Sequence, residues 1–213
     1  LPKNITTTPE SKTDIPGFIY DMGETTVNIH LLGYNPLLGN ALDMYVSSIF
    51  ASQTEYSVKI DPETGTGSVT IPLYGSATGF LAFEDCTVGD TFHIAPGETV
   101  DIYCDLGYTD YMAATQNRTE KPAVPVKPLY STGREYDSIN NLPLDQGMSG
   151  LNIYTIYTDI TDYSLNADEY TDQIIKGYEE VVKRIEASDC HPAAKALKIA
   201  DAKLTCIYGL TFA

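Results

Sequence analysis

Phe92-His93-Ile94-Ala95-Pro96-Gly97-Glu98-Thr99-Val100-Asp101-Ile102-Tyr103-Cys104-Asp105 reads as two strands joined by a tight turn. Phe92 and Ile94 alternate with polar neighbours, and so do Val100, Ile102 and Cys104. A period of two with one apolar face marks a half-buried strand. Pro96-Gly97 suits the central positions of a type II turn, since proline presets a negative φ and glycine supplies the positive φ that follows.

The same alternation runs back towards Thr25. Val27, Ile29 and Leu31 alternate with Thr26, Asn28 and His30, and similar sets occur at Leu42-Met44-Val46, Tyr56-Val58-Ile60 and Val69-Ile71-Leu73. Phe80 to Phe83 is more uniformly apolar. Asp61-Pro62-Glu63-Thr64-Gly65-Thr66-Gly67 reads as a hairpin loop with glycines available for positive φ. About seven short strands at this spacing predict an antiparallel β-sandwich over residues 25–108.

The flanks differ in character. Residues 1–24 are expected to form a tether, with Leu1 to Asp14 polar and rich in Thr and Pro. A start at Leu1 rather than Met is expected to reflect processing. Residues 109–145 read as a linker, because Pro122, Pro125 and Pro128 recur every third residue and favour extended backbone. Residues 146–213 are expected to be helical, making the chain α+β. Asn166 is placed to cap a helix, Glu169 stands at the reciprocal capping-box position, and Leu165 can staple onto Tyr170. Tyr170, Ile174, Tyr178, Val181 and Ile185 then form one apolar stripe. Ser188 to Pro192 breaks the helix and restarts it, which predicts a helical hairpin. Gly150 to Ile160 is read as helix, with a strand as the alternative.

The 213 residues are 43% hydrophobic, which suits a folded chain able to bury a core without a metal or a disulfide. The net charge of -16 repels nucleic-acid phosphates and anionic lipid, so neither is an expected partner. No apolar run reaches the ~20 residues of a membrane span. Cys86, Cys104, Cys190 and Cys206 form no C-x-x-C pair. Cys86 and Cys104 lie at the ends of neighbouring predicted strands and are a candidate disulfide, the alternative being two small buried residues. His30, His93 and His191 are scattered without zinc-ligand spacing and read as strand-surface or cap residues. Cys190-His191 are adjacent, and adjacent side chains seldom converge as a nucleophile and base must. Asp159, Asp162 and Asp168 lack the calcium-loop pattern. No catalytic residue, metal or cofactor is expected. Among 16 tyrosines, Tyr103, Tyr108 and Tyr111 cluster at the end of the last predicted strand as a candidate binding surface.

Several short motifs occur in a recognisable order: Gly33-Tyr34, the Asp61–Gly67 loop, Ile71-Pro72-Leu73, Ala95-Pro96-Gly97-Glu98-Thr99-Val100, Asn166 to Tyr170, and His191-Pro192-Ala193-Ala194-Lys195. Together they resemble the N-terminal, non-catalytic region of exported thioredoxin-like thiol–disulfide oxidoreductases of Gram-negative gut bacteria. The resemblance covers roughly Thr25 to the end. It implies a β-sandwich and helical segment ahead of a C-terminal thioredoxin domain, located in the periplasm or cell envelope, with lipid attachment through the tether as one means of retention. The redox pair of such proteins belongs to that further domain, and the apolar ending Gly209 to Ala213 is expected to mark a cut upstream of it. The implied role is to position the redox domain, bind protein clients or self-associate. A free-standing surface module that binds glycan or protein through its tyrosines is the alternative.

Overall fold

The computed structural model describes residues 16–83, 86–107, 109, 129–132, 136–141, 151–162, 164–188 and 190–212, with the side chains of residues 86, 87, 89, 90 and 138 outside the description. The chain divides into two compact units. The first holds eight described strands: β1 (Met22–Leu32), β2 (Ala41–Ser48), β3 (Thr54–Lys59), β4 (Thr66–Tyr74), β5 (Ala77–Phe83), β6 (Cys86–Ile94), β7 (Thr99–Asp105) and β8 (Leu129–Thr132). A four-residue helix, α1 (Asp137–Asn140), follows β8. The second unit holds α2 (Thr155–Thr158), α3 (Ala167–Ala187) and α4 (Pro192–Leu210). The α+β class is as the sequence implies. Among the described residues, no helix is long and apolar enough to cross a membrane.

The strands form two four-stranded sheets, ordered β4-β1-β7-β8 and β3-β2-β5-β6. Alternating residues from both sheets meet in one core, including Val27, Ile29, Ile71, Val100 and Ile102 from the first and Leu42, Met44, Leu81, Phe92 and Ile94 from the second. Burial follows the period-two pattern, because a pleated strand turns successive side chains to opposite faces. Two buried contacts fix local packing, one polar and one apolar. The Thr25 hydroxyl donates to the Ala95 carbonyl at 2.7 Å. Gly79 leaves room for the ring of the fully buried Phe92, since a Cβ there would stand 2.6 Å from ring carbons.

Three expectations change. There are eight described strands rather than seven, because β8 lies inside the stretch read as linker and pairs antiparallel with β7 from Asp101↔Thr132 to Cys104↔Leu129. Proline spacing concealed it: Leu129 follows directly after Pro128. The sheets are not wholly antiparallel, since β1 and β7 pair in parallel from Thr26↔Thr99 to Leu32↔Asp105. Parallel neighbours need a long crossover, and here five intervening strands supply it. The loops at Asp61–Gly67 and Pro96-Gly97 carry the chain from one sheet to the other rather than joining paired strands. Their local chemistry is as expected. Asp61 Oδ1 accepts from the backbone of Glu63 at 2.8 Å and Thr64 at 3.1 Å, which holds its carboxyl below the usual range. Gly65 and Gly97 sit at φ +67° and +81°. β1 also begins at Met22, within the expected tether.

In the second unit, Asn166 and Glu169 form the expected capping box: Glu169 N–H donates to Asn166 Oδ1, and Asn166 N–H to Glu169 Oε2, both at 3.0 Å. Pro192 opens α4, where His191 Nδ1 accepts from the Ala193 N–H at 3.2 Å. α3 and α4 run antiparallel. Lys195 reaches the Glu186 carbonyl at one end, and a Cβ on Gly209 would stand 2.9 Å from Ile174 at the other. Ile174, Val181 and Ile185 bury against Ala194, Ala202 and Cys206, with Ile156 of the short α2 completing the cluster. α4 turns small residues inward and leaves Leu204, Ile207 and Tyr208 exposed.

Candidate functional site

The outer face of the β4-β1-β7-β8 sheet is built by strand register. His30 lies opposite Thr66 on β4 and Tyr103 on β7, and Tyr103 lies opposite Tyr130 on β8. The next row sets Ser68, Asn28, Asp101 and Thr132 side by side. These residues fall on the outer face because their neighbours Val27, Ile29, Val100 and Ile102 fill the core. Ser68 donates to Asn28 Oδ1 at 2.8 Å, and Thr26 and Thr70 share a hydroxyl bond of 2.9 Å.

At the centre of this face, His30 Nε2 stands 2.8 Å from Asp101 Oδ1. A carboxylate only accepts, so Nε2 carries the proton of this bond. The His30 ring stacks on Tyr103, with centroids 4.4 Å apart and planes 11° from parallel. The His30 and Asp101 side chains keep 30% and 34% of their surface, so the pair is held in place yet open to a ligand. Burial, and then the Asp101 charge, push the Tyr103 phenol above its ordinary pKa, partly offset by a hydrogen bond with Thr132. Tyr103 is therefore a neutral donor and acceptor at physiological pH. Chemically the cluster offers an aromatic ring edge, a carboxylate and hydroxyls on rigid strands.

Of the tyrosines singled out from sequence, Tyr103 falls in this cluster, while Tyr108 and Tyr111 lie outside the described residues. His30 and Asp101 carried no individual signal. The parallel pairing of β1 with β7 brings them together across 71 positions of sequence. A second stacked pair, Tyr45 and Phe80, stands on β2 and β5 with centroids 4.9 Å apart.

The candidate disulfide partners occupy opposite sheets, Cys86 at the start of β6 and Cys104 near the end of β7. The Cys86 side chain lies outside the described residues. Cys104 is fully buried, and burial, then the Asp105 charge, push its thiol up to about 12 despite a hydrogen bond with Thr109. A thiol so placed is protonated at neutral pH, and the thiolate is the reactive form. The folded protein is therefore expected to leave Cys104 unmodified by iodoacetamide at pH 8, with labelling appearing only in denaturant. Peptide mass spectrometry reads this directly, and native labelling of Cys104 would contradict the burial. Because the folded pKa lies above the unfolded one, the stability this thiol contributes is complete below about pH 8.5 and is lost as pH climbs towards 12. Burial also raises the Cys206 thiol. No group of three or more metal-ligating side chains occurs among the described residues.

Comparison with protein-family models and with curated proteins finds no match in either.

Proposed function

We propose that this chain is a non-catalytic recognition module of a protein exported to the cell envelope, and that its binding surface is the outer face of the β4-β1-β7-β8 sheet around Tyr103. The supporting observation is the His30–Asp101–Tyr103 cluster, an accessible hydrogen-bonded aromatic group on rigid strands. Side chains already ordered before binding lose less entropy when a partner arrives. A partly exposed tyrosine and histidine beside a carboxylate suit polypeptide, whose amides offer donors to Asp101 and acceptors to Tyr103. On the thioredoxin-like resemblance, that polypeptide is a client protein or a neighbouring redox domain, and the electron-transfer chemistry belongs to residues beyond this chain.

The test is a titration of isotopically labelled chain with a reduced, unfolded polypeptide such as reduced ribonuclease, followed by NMR. Shift changes are expected to centre on His30, Asp101 and Tyr103. Tyr103→Ala is expected to weaken binding about tenfold, or ~1.4 kcal/mol. Changes confined to other surfaces, or equal affinity of the variant, would refute the assignment. An insulin-reduction assay on the same chain is expected to stay at background. A glycan ligand is the second reading, favoured by a carboxylate beside an aromatic ring, and an array binding signal lost in Tyr103→Ala would select it.

A further inference from the structure

The outer face around Tyr103 offers acceptors and negative charge. His30 Nε2 donates to Asp101 Oδ1 at 2.8 Å, which leaves Asp101 Oδ2 and the Nδ1 lone pair of the neutral ring to accept from elsewhere. Neither of these two atoms makes a described hydrogen bond, and no buried side-chain nitrogen or oxygen among the described residues lacks a partner. Both are therefore open to solvent. The charge is one-sided as well. Strands β1, β4, β7 and β8 carry Glu24, Asp101 and Asp105, and no lysine or arginine. Glu24 precedes the buried Thr25, and Asp101 and Asp105 alternate with the buried Val100, Ile102 and Cys104, which sets these carboxylates on the outer face.

We infer that this surface takes a cationic polypeptide, one that presents an arginine or lysine side chain to Asp101 Oδ2 with His30 Nδ1 as a further acceptor. The inference rests on the recognition surface proposed above and adds the charge of its partner. Guanidinium and ammonium groups have donors and no acceptor, so they suit a site whose open atoms accept. An anionic partner would meet like charge on strands that carry no lysine or arginine. His30 also makes the site responsive to acid. Protonation turns Nδ1 from an acceptor into a donor and adds positive charge beside Asp101. The titratable groups facing its ring are Asp101 and Tyr103 of β7, while β4 sets the uncharged Thr66 opposite. Asp105, opposite Leu32, is the next carboxylate along that face. Acid therefore works against a bound cation.

The test titrates the labelled full chain, by NMR, with an end-blocked glycine-serine peptide bearing two arginines and with the same peptide bearing the uncharged analogue citrulline in their place. The arginine peptide is expected to shift His30, Asp101 and Tyr103, and to bind at least about fivefold tighter than the citrulline peptide. D101N is expected to weaken its binding about tenfold. E180Q, which removes the same charge from the exposed surface of α3, is expected to weaken it less than about twofold. That contrast separates this site from general attraction to a chain of charge -16. Lowering the pH from about 7.5 to about 5.5 is expected to weaken arginine binding severalfold in the unmodified chain and to leave H30Q unaffected. Equal binding of the two peptides overturns the inference, as does equal weakening by D101N and E180Q, or an acid loss that H30Q shares. Should D101N not fold, the citrulline comparison and H30Q carry the test. If reduced ribonuclease shifts the cluster while both peptides bind alike, the recognition surface stands and its cationic preference falls. If no polypeptide shifts the cluster, the surface itself is refuted.

Discussion

Phe92→Ala is expected to destabilise the β-unit by about 3–5 kcal/mol, the usual cost of removing a fully buried phenylalanine. Phe92 is the largest of the completely buried side chains, and its ring lies directly on Gly79 of the neighbouring strand. The ring occupies the space a Cβ on Gly79 would take, so position 79 has no side chain that could swing in to fill the void. The cavity term should therefore be near its upper range. Thermal unfolding followed by circular dichroism should show the midpoint falling by on the order of 10 °C. Gly79→Ala should also destabilise, by overpacking, since its Cβ would stand 2.6 Å from the Phe92 ring. The two changes share one space, so F92A/G79A should cost less than the sum of its parts. Additive losses would mean that Phe92 and Gly79 do not share the contact described.

Elements set by local chemistry were legible in the sequence. Asn166 and Glu169 specify a helix start through bonds spanning three residues, and Pro96-Gly97 specifies a turn through its own backbone limits. Inward positions such as Val27, Ile29 and Leu42 followed from alternation alone. Strand partners did not, because the period-two pattern states which face is buried and is silent on which strand lies alongside. The parallel β1–β7 pair was therefore missed, and with it the meeting of His30 and Asp101. β8 has four residues, too few to show a period, and it directly follows proline-spaced sequence. Tyr103 was singled out for its side-chain type and its place on the last predicted strand. Its neighbours in space were hidden, since they arise from β1.

The same limit applies to α1. Nothing in Asn140-Asn141 marks a helix end that holds two sheets, yet their amides bond to His93 in one and Ser131 in the other. On the outer face, His30 and Asp101 keep 30% and 34% of their side-chain surface, whereas Tyr130, opposite Tyr103, is 6% exposed.

Asn140→Asp is expected to destabilise the β-unit by about 3 kcal/mol or more at neutral pH, because it places an unpaired charge in a buried clamp. Asn140 is 1% exposed. A carboxylate can still accept from the His93 N–H, but its second oxygen then faces the His93 carbonyl, which loses the Asn140 Nδ2 donor and meets a second acceptor. Desolvation and that carbonyl both favour the protonated acid, so the folded-state pKa of the new carboxyl is raised above its unfolded value of about 3.9. A raised folded pKa makes the variant's loss smallest at low pH, where the acid is protonated and can donate to the carbonyl. The loss grows as pH climbs through the folded pKa and is complete above it. Urea unfolding between pH 4 and 7.5 should therefore show N140D converging on the unmodified chain towards the acid end. N140A, which lacks a titratable group, should run parallel to it. A pH-independent gap for N140D, or one below about 0.5 kcal/mol at pH 7, would mean that the amide clamp does not hold β6.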